Sequence, residues 1–293
     1  MDEADPTVLK RILLAELHEL RLGSLRTQRQ VAAAMEWSVS KVLRVESGAV
    51  RITTHDLRGL LRLYGVTEEE QERYIDMNRN AMKREGWSAY GSVFDTYFVS
   101  YLGLEGVASI ARYWETTVFP GLLQTGDYAR AVVNPDESLD RRELRTQARL
   151  DRQEILHEAE KKFFFLVDES VFYRTVGSPG VMITQLEYIR KVCAENPNVD
   201  FRVVLFNTGL HPGTEGPCTV LEFTDPRLGM VAYLENSRRD SASSLRDDPQ
   251  EASKYLDRFF KLEDIACSQK FTLELVERRI AELESEENAK RSA

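Results

Sequence analysis

The residues best suited to chemistry fall into two short stretches. Between positions 27 and 44, Thr27, Gln28, Ser38, Val39, Ser40, Lys41 and Arg44 bring hydroxyl, amide and cationic groups close together. Such groups position a protein on phosphates and read base edges. Arg44 suits the two-pronged contact to guanine O6 and N7, and Ser40 suits a phosphate or a base. Val39 suits a thymine methyl, and Gln28 suits a phosphate or a neighbouring base. The second stretch, Gly209-Leu210-His211-Pro212-Gly213, sets a histidine in a turn-like loop, with Glu215 and the Asp168-Glu169 pair as carboxylates a general base would need. None of the four histidines, His18, His55, His157 and His211, sits in an HExxH pattern, and GxSxG, GxGxxG and P-loop patterns are absent. His211 therefore reads first as a loop histidine that bonds backbone or touches a partner, and no enzyme is expected.

The first stretch needs helices to position it, and the spacing supplies them. Leu9, Leu13, Leu17 and Leu20 form one apolar stripe of a helix that closes near Gly23. Thr27 caps a second helix, from about Gln28 to Met35, with Val31 and Met35 on one face and the small Ala32 at a close helix approach. Glu36-Trp37 breaks it. Ser38 caps a third helix to about Glu46, with Val42 and Val45 inward and Gly48 as the stop. On this reading Val39, Ser40, Lys41 and Arg44 share its exposed side. A fourth helix runs from near Thr54 to Gly65, and Thr67-Glu68-Glu69-Glu70 has the capping-box form that opens a fifth. A tight turn between the second and third of five short helices is the helix-turn-helix pattern. There the second helix turns its free N–H groups to a phosphate and the third lies in the major groove.

Charge is distributed to match. The 293 residues carry 39 Lys+Arg against 48 Asp+Glu, so the whole surface does not suit coating nucleic acid or an anionic membrane. Residues 21–62, however, hold eight basic residues against three acidic ones, a confined footprint for DNA. Everything beyond residue 86 has 25 basic and 34 acidic residues. No apolar run approaches a membrane span, and Met1-Asp2-Glu3 does not open a signal peptide. Cys193, Cys218 and Cys267 are odd in number and widely spaced, which fits incidental thiols in a reducing cytoplasm rather than a disulfide or zinc framework. No cofactor and no metal are expected.

Gly86 to Ser92 shifts composition toward glycine, serine and aromatics and places a domain junction there. Beyond it, Phe98 to Tyr113 is an aromatic, weakly amphipathic segment. Arg141 to Glu158 reads as a charged helix, and Phe163 to Val167 as a buried strand. Met182 to Cys193 reads as a helix, and Asp200–Phe206, Thr219–Phe223 and Met230–Leu234 as strands. Pro249–Ile265 and Phe271–Leu283 read as helices, followed by a polar, frayed end. The expected class is α+β: an all-α helix-turn-helix domain over 1–85, a mixed α/β sensing or partner-binding domain over 86–284, and a polar tail over 285–293. Trp87 and Tyr90, among the aromatics after the junction, are candidate ligand or partner contacts, although such residues more often form core.

Thr27-Gln28, Val31-Ala32, Ser38 and Glu46-x-Gly48 resemble the phage-repressor-type, or XRE, helix-turn-helix. Glu36-Trp37-Ser38-x-Ser40-Lys41-x-x-Arg44-x-Glu46-x-Gly48 more narrowly resembles the actinobacterial WhiJ-like regulators. The turn position, often glycine in the wider class, is Glu36, which carries strain at positive φ. The resemblance continues through Phe119-Pro120-Gly121-Leu122-Leu123-Gln124-Thr125-x-x-Tyr128-Ala129, Arg149-x-x-Arg152-Gln153, His211-Pro212-Gly213 and Tyr233-x-Glu235. It implies a sensing or partner-binding domain fused to the DNA reader, with Gln124, Tyr128, Arg152 and His211 as further candidate contacts. It also implies a small acidic partner protein encoded nearby.

The leading expectation is a cytoplasmic transcription regulator of double-stranded DNA. Because one recognition helix reads few base pairs, it is expected to act as a homodimer on half-sites about 34–36 Å apart. An antitoxin-like module that mainly sequesters a small protein is the alternative, and an enzyme acting through the His211 loop is the remote one.

Overall fold

A computed structural model describes residues 5–83, 86–133, 135–235 and 244–292. The chain forms two compact units, Met1–Gly91 with Asp225–Leu228, and Ser92–Thr224 with Gly229–Ala293. The first unit thus extends past residue 85, which itself lies outside the described residues, and takes in most of the 3₁₀ turn Gly86–Ser92.

The first unit is helical: α1 (Pro6–Gly23), α2 (Gln28–Ala34), α3 (Val39–Glu46), α4 (Thr54–Leu63) and α5 (Glu68–Asn80). Each start has a side-chain cap. Asp5, Thr27, Ser38, Thr53 and Thr67 accept backbone N–H bonds from α1 to α5 in turn, and Thr27 and Thr67 complete capping boxes with Gln30 and Glu70. Leu13 and Leu17 of α1 meet Val31 and Ala32 of α2, Val42 and Val45 of α3, Leu57 and Leu61 of α4, and Ile75 of α5 in one core. Full burial of a leucine such as Leu57 stabilises by about 1.5–3 kcal/mol.

The helix ends share one device. After α2, Glu36 takes φ 56°, its N–H donates to Ala33 O (3.3 Å), and Trp37 N–H donates to Ala32 O (2.8 Å). This is a Schellman ending. Leu25 (φ 56°) closes α1 and Gly65 (φ 81°) closes α4 in the same way. At Glu36 and Leu25 the left-handed position is held by a residue with a Cβ, at the cost of strain.

The second unit is a six-stranded mixed sheet with helices. Its elements are α6 (Thr96–Val107), β1 (Ile110–Glu115), α7 (Gly126–Val132), α8 (Leu139–Asp151), β2 (Lys162–Asp168), α9 (Ser170–Tyr173), α10 (Pro179–Glu195), β3 (Val199–Val204), β4 (Cys218–Glu222), β5 (Met230–Leu234), β6 (Ser244–Arg246), α11 (Pro249–Ile265) and α12 (Gln269–Ser292). The strand order is β3-β2-β1-β4-β5-β6. The strands β1, β2 and β3 run parallel, while β4, β5 and β6 continue antiparallel. Three differences from the sequence reading stand out. Phe98–Tyr113 divides into a helix and a strand. The charged helix ends at Asp151 and passes into the 3₁₀ turn Arg152–His157. The polar end is the continuation of α12 rather than a separate tail, with Arg279 paired to Glu282 and Glu286 along one face.

Candidate nucleic-acid interface and the cavity of the second unit

The amphipathic rotation of α3 decides what it presents. Val42 and Val45 are buried, whereas Val39, Ser40, Leu43, Arg44 and Ser47 are exposed. Ser38 spends its hydroxyl on the cap, accepting from Lys41 N–H (3.1 Å). Arg44 Nε donates to Ser40 O (3.3 Å), and the guanidinium has no carboxylate partner among the described residues. Lys41, expected on the exposed side, is half-buried. Its Nζ lies 3.9 Å from the centroid of the Trp37 ring and pairs with Asp56 Oδ2 at 3.1 Å, so its charge is already met. Leu43, which the sequence reading did not place on that side, is exposed.

Behind this face, Glu46 ties three helices together. Its Oε1 accepts from Arg21 Nε of α1 (2.6 Å), and its Oε2 accepts from Gln28 Nε2 of α2 (2.8 Å). Arg21 also donates to Arg26 O (3.0 Å). Gln28 therefore stands at the start of α2 with its amide nitrogen engaged inside the unit. Thr27 is exposed, with its hydroxyl in the capping box. Arg26, Arg29, Arg51 and Arg62 join Arg44 as cations without an ion-pair partner among the described residues, so the local positive charge survives pairing in the fold.

The candidate contacts beyond residue 85 separate into three groups. Trp87 and Tyr90 belong to the first unit, where their rings lie 5.7 Å apart. Tyr128 is core: it is fully buried, its hydroxyl oxygen accepts from Phe119 N–H (3.2 Å), and burial pushes its pKa up to about 12. His211 is also packed away from solvent. Its ring stands edge-on to Trp114 at 5.6 Å, and its Nδ1 accepts from Gly213 N–H (3.2 Å). The Nε2 lies 4.0 Å from Asp168 Oδ2. A Cβ at Gly213 would sit 2.4 Å from the Trp114 ring, so the His-Pro-Gly motif is a close-packed turn.

Gln124 and Arg152 do meet, at a cavity of about 90 Å³. It opens where β1 and β5 end and β4 begins, at the junction of the parallel and antiparallel halves of the sheet. Arg152 is a buried half of an ion pair. Its Nε and Nη2 donate to the two oxygens of Glu105 at 2.8 and 2.7 Å. Tyr101 and Tyr113 also donate their hydroxyls to Glu105. Gly121 leaves room for this guanidinium, since a Cβ there would lie 3.2 Å from Arg152 Nη1. Gln124 donates from Nε2 to Phe119 O (2.7 Å), while its Oε1 has no hydrogen-bond partner among the described residues.

The sequence reading did not select Arg149, Glu115 and Glu235, which line the same cavity, as contacts. Desolvation, reinforced by Arg152, lowers the Arg149 pKa to about 10. Desolvation, reinforced by Glu235, raises the Glu115 carboxyl well above the ordinary carboxylate range. Cys218 also lines the cavity, and burial pushes its thiol up to about 11, far from a thiolate at neutral pH. Among the described residues no group of His, Cys, Asp and Glu could hold a metal ion, and no helix is long and apolar enough to cross a membrane.

A capped helix pair with an exposed, cationic third helix, joined to a mixed α/β unit, defines the class: a helix-turn-helix protein with a companion domain. Residues 12–73 match a helix-turn-helix domain model, which points to a DNA-binding regulator. Residues 98–278, more than half of the chain, match the model of a domain of unknown function (DUF5753), and the chain belongs to that family. No curated protein and no solved structure matches the chain.

Proposed function

We propose that this chain is a sequence-specific, DNA-binding transcription regulator of the WhiJ-like type within the XRE class, acting in the cytoplasm and controlled through its second unit. The observation that carries the reading is the face of α3. Val39, Ser40 and Arg44 stand free of the core, and Arg44 is unpaired. Arg44 reads a guanine, Ser40 and Val39 read adjacent positions, and Thr27, Gln28 and Ser38 lie at the helix starts that face phosphates. One such helix covers few base pairs, so a homodimer on two half-sites is part of the proposal.

The test is fluorescence anisotropy of the full chain on DNA from upstream of its own gene, beside a scrambled duplex, at two salt concentrations. The expected result is selective binding that weakens steeply with salt. Arg44→Ala should cost about 1–3 kcal/mol on the selected site and relax preference at one base. An equal loss on both duplexes would make Arg44 a phosphate contact. Failure of the wild-type chain to prefer any upstream sequence would remove the regulator reading.

A further inference from the structure

Three segments far apart in the chain, Phe119–Gln124, Arg149–Arg152 and Tyr233–Glu235, converge on the cavity of the second unit. Its lining is chemically unfinished. Among the described residues the half-buried Glu115 carboxyl has no hydrogen bond or ion pair. Among the described residues the only side-chain hydrogen bond of Arg149 runs to the Arg145 carbonyl of its own helix, at 3.2 Å. Gln124 is 2% exposed, and its Oε1 has no donor among the described residues. On the same wall, Arg152 is met by Glu105 through two hydrogen bonds. A guanidinium, a carboxyl and an acceptor thus meet in one small space; Glu115 and Arg149 are half-buried, and the Gln124 oxygen, the most buried of the three, is costly unless something completes it.

We infer that the cavity binds a compact zwitterion of the amino-acid class, its ammonium held by Glu115 and the Gln124 Oε1 and its carboxylate by Arg149. This assignment rests on the reading of the second unit as the controlling part of a regulator. Each simpler ligand leaves a group unsatisfied. A cation alone leaves the Arg149 donors unused, and an anion alone is set against the Glu115 and Glu235 carboxyls. The guanidinium fork matches a carboxylate with two parallel bonds. The remaining wall is aromatic, with Tyr101 and Tyr233 stacked at 4.3 Å and Phe98 beside them, which suits an apolar side chain. About 90 Å³ is well below the few hundred Å³ of sites for larger ligands. The position agrees with the tendency of open α/β sheets to bind ligands beyond the carboxyl ends of their strands.

The probes are glycine, L-alanine and L-valine, small enough to suit about 90 Å³, each beside its amide, which lacks the carboxylate, and its N-acetyl form, which lacks the ammonium. Binding to the full chain is measured by titration calorimetry. At least one free amino acid should bind, and its amide and N-acetyl forms should each bind about tenfold or more weakly, as expected for one lost charge-assisted contact. Arg149→Gln should lose the discrimination against the amide alone, and Glu115→Gln the discrimination against the N-acetyl form alone. That paired switch would not follow from a merely structural role. Arg149→Lys keeps the charge should the glutamine variant fail to fold, and the wild-type comparison decides without any variant. Absence of binding by all three amino acids, or equal binding of the modified forms, overturns the inference. Selective DNA binding with no amino-acid binding removes the ligand and leaves the regulator standing. Amino-acid binding with no selective DNA binding does the reverse.

Discussion

Replacing Glu46 should do more damage than any other single polar change in the DNA-reading unit, and the size can be worked out. The carboxylate accepts from Arg21 at 2.6 Å and from Gln28 at 2.8 Å. The Arg21 and Glu46 side chains are only 9% and 13% exposed, so solvent screens the pair little. Glu46→Ala leaves a nearly buried guanidinium without its carboxylate, a loss of about 3–5 kcal/mol. Glu46→Gln is milder. Its oxygen still accepts from Arg21, and the Gln28 amide can turn over to accept from the new NH₂, so both contacts survive with the charge removed. The cost is then about 1–2 kcal/mol, the difference between charged and neutral hydrogen bonds. Arg21→Met with Glu46→Leu removes both charges and should recover most of the loss. Whole domains are stable by only about 5–15 kcal/mol, so the alanine variant approaches the unfolding threshold. Hydrogen exchange of the α2 and α3 amides in the full chain localises the effect to this unit. The reasoning fails if alanine costs no more than glutamine, or if the double variant is as unstable as Glu46→Ala.

Other outcomes follow from the same geometry. Lys41→Ala should change DNA affinity far less than Arg44→Ala in side-by-side anisotropy titrations, because Asp56 and Trp37 already hold the lysine. Glu36→Gly should stabilise the first unit by about 0.5 kcal/mol in urea unfolding: relief of left-handed strain, about 1–2 kcal/mol, outweighs glycine's entropy cost of about 0.5–1 kcal/mol. Glu115 has its folded pKa raised by desolvation and by Glu235, so the stability it contributes is complete below its ordinary value near 4.5 and is lost as pH rises through the folded value. Glu115→Gln should therefore raise the melting temperature more at about pH 8 than at about pH 5, and an equal rise at both would contradict the assignment.

What was legible in the sequence is what local chemistry determines. Thr27, Ser38 and Thr67 announce helix starts because a capping hydroxyl bonds N–H groups two or three residues on. The stripes of α1 and α4 needed only a helical period. Lys41 was misplaced because Trp37 and Asp56, on other turns of chain, draw its side chain off the exposed face. Strand β1 was hidden inside Phe98–Tyr113 because two adjoining apolar elements blur both periods. Only pairing with β2 and β4 shows where the helix stops.

The same contrast separates the two sites. The α3 face is assembled from one continuous stretch, so its chemistry could be read in order along the chain. The cavity draws its unmet groups from the end of β1, from the turn before α7 and from α8, and no spacing rule links them. Arg149 and Arg152 show the limit most sharply. They lie on successive turns with the same chemistry, yet Arg152 is neutralised by Glu105, 47 residues away, while among the described residues Arg149 hydrogen-bonds only a backbone carbonyl. Sequence reasoning chose Arg152 as the contact. On the ligand reading proposed above the weighting reverses, because a guanidinium already saturated by a buried carboxylate has little left to offer a ligand, and its neighbour, without an ion pair among the described residues, has most of its donors to give.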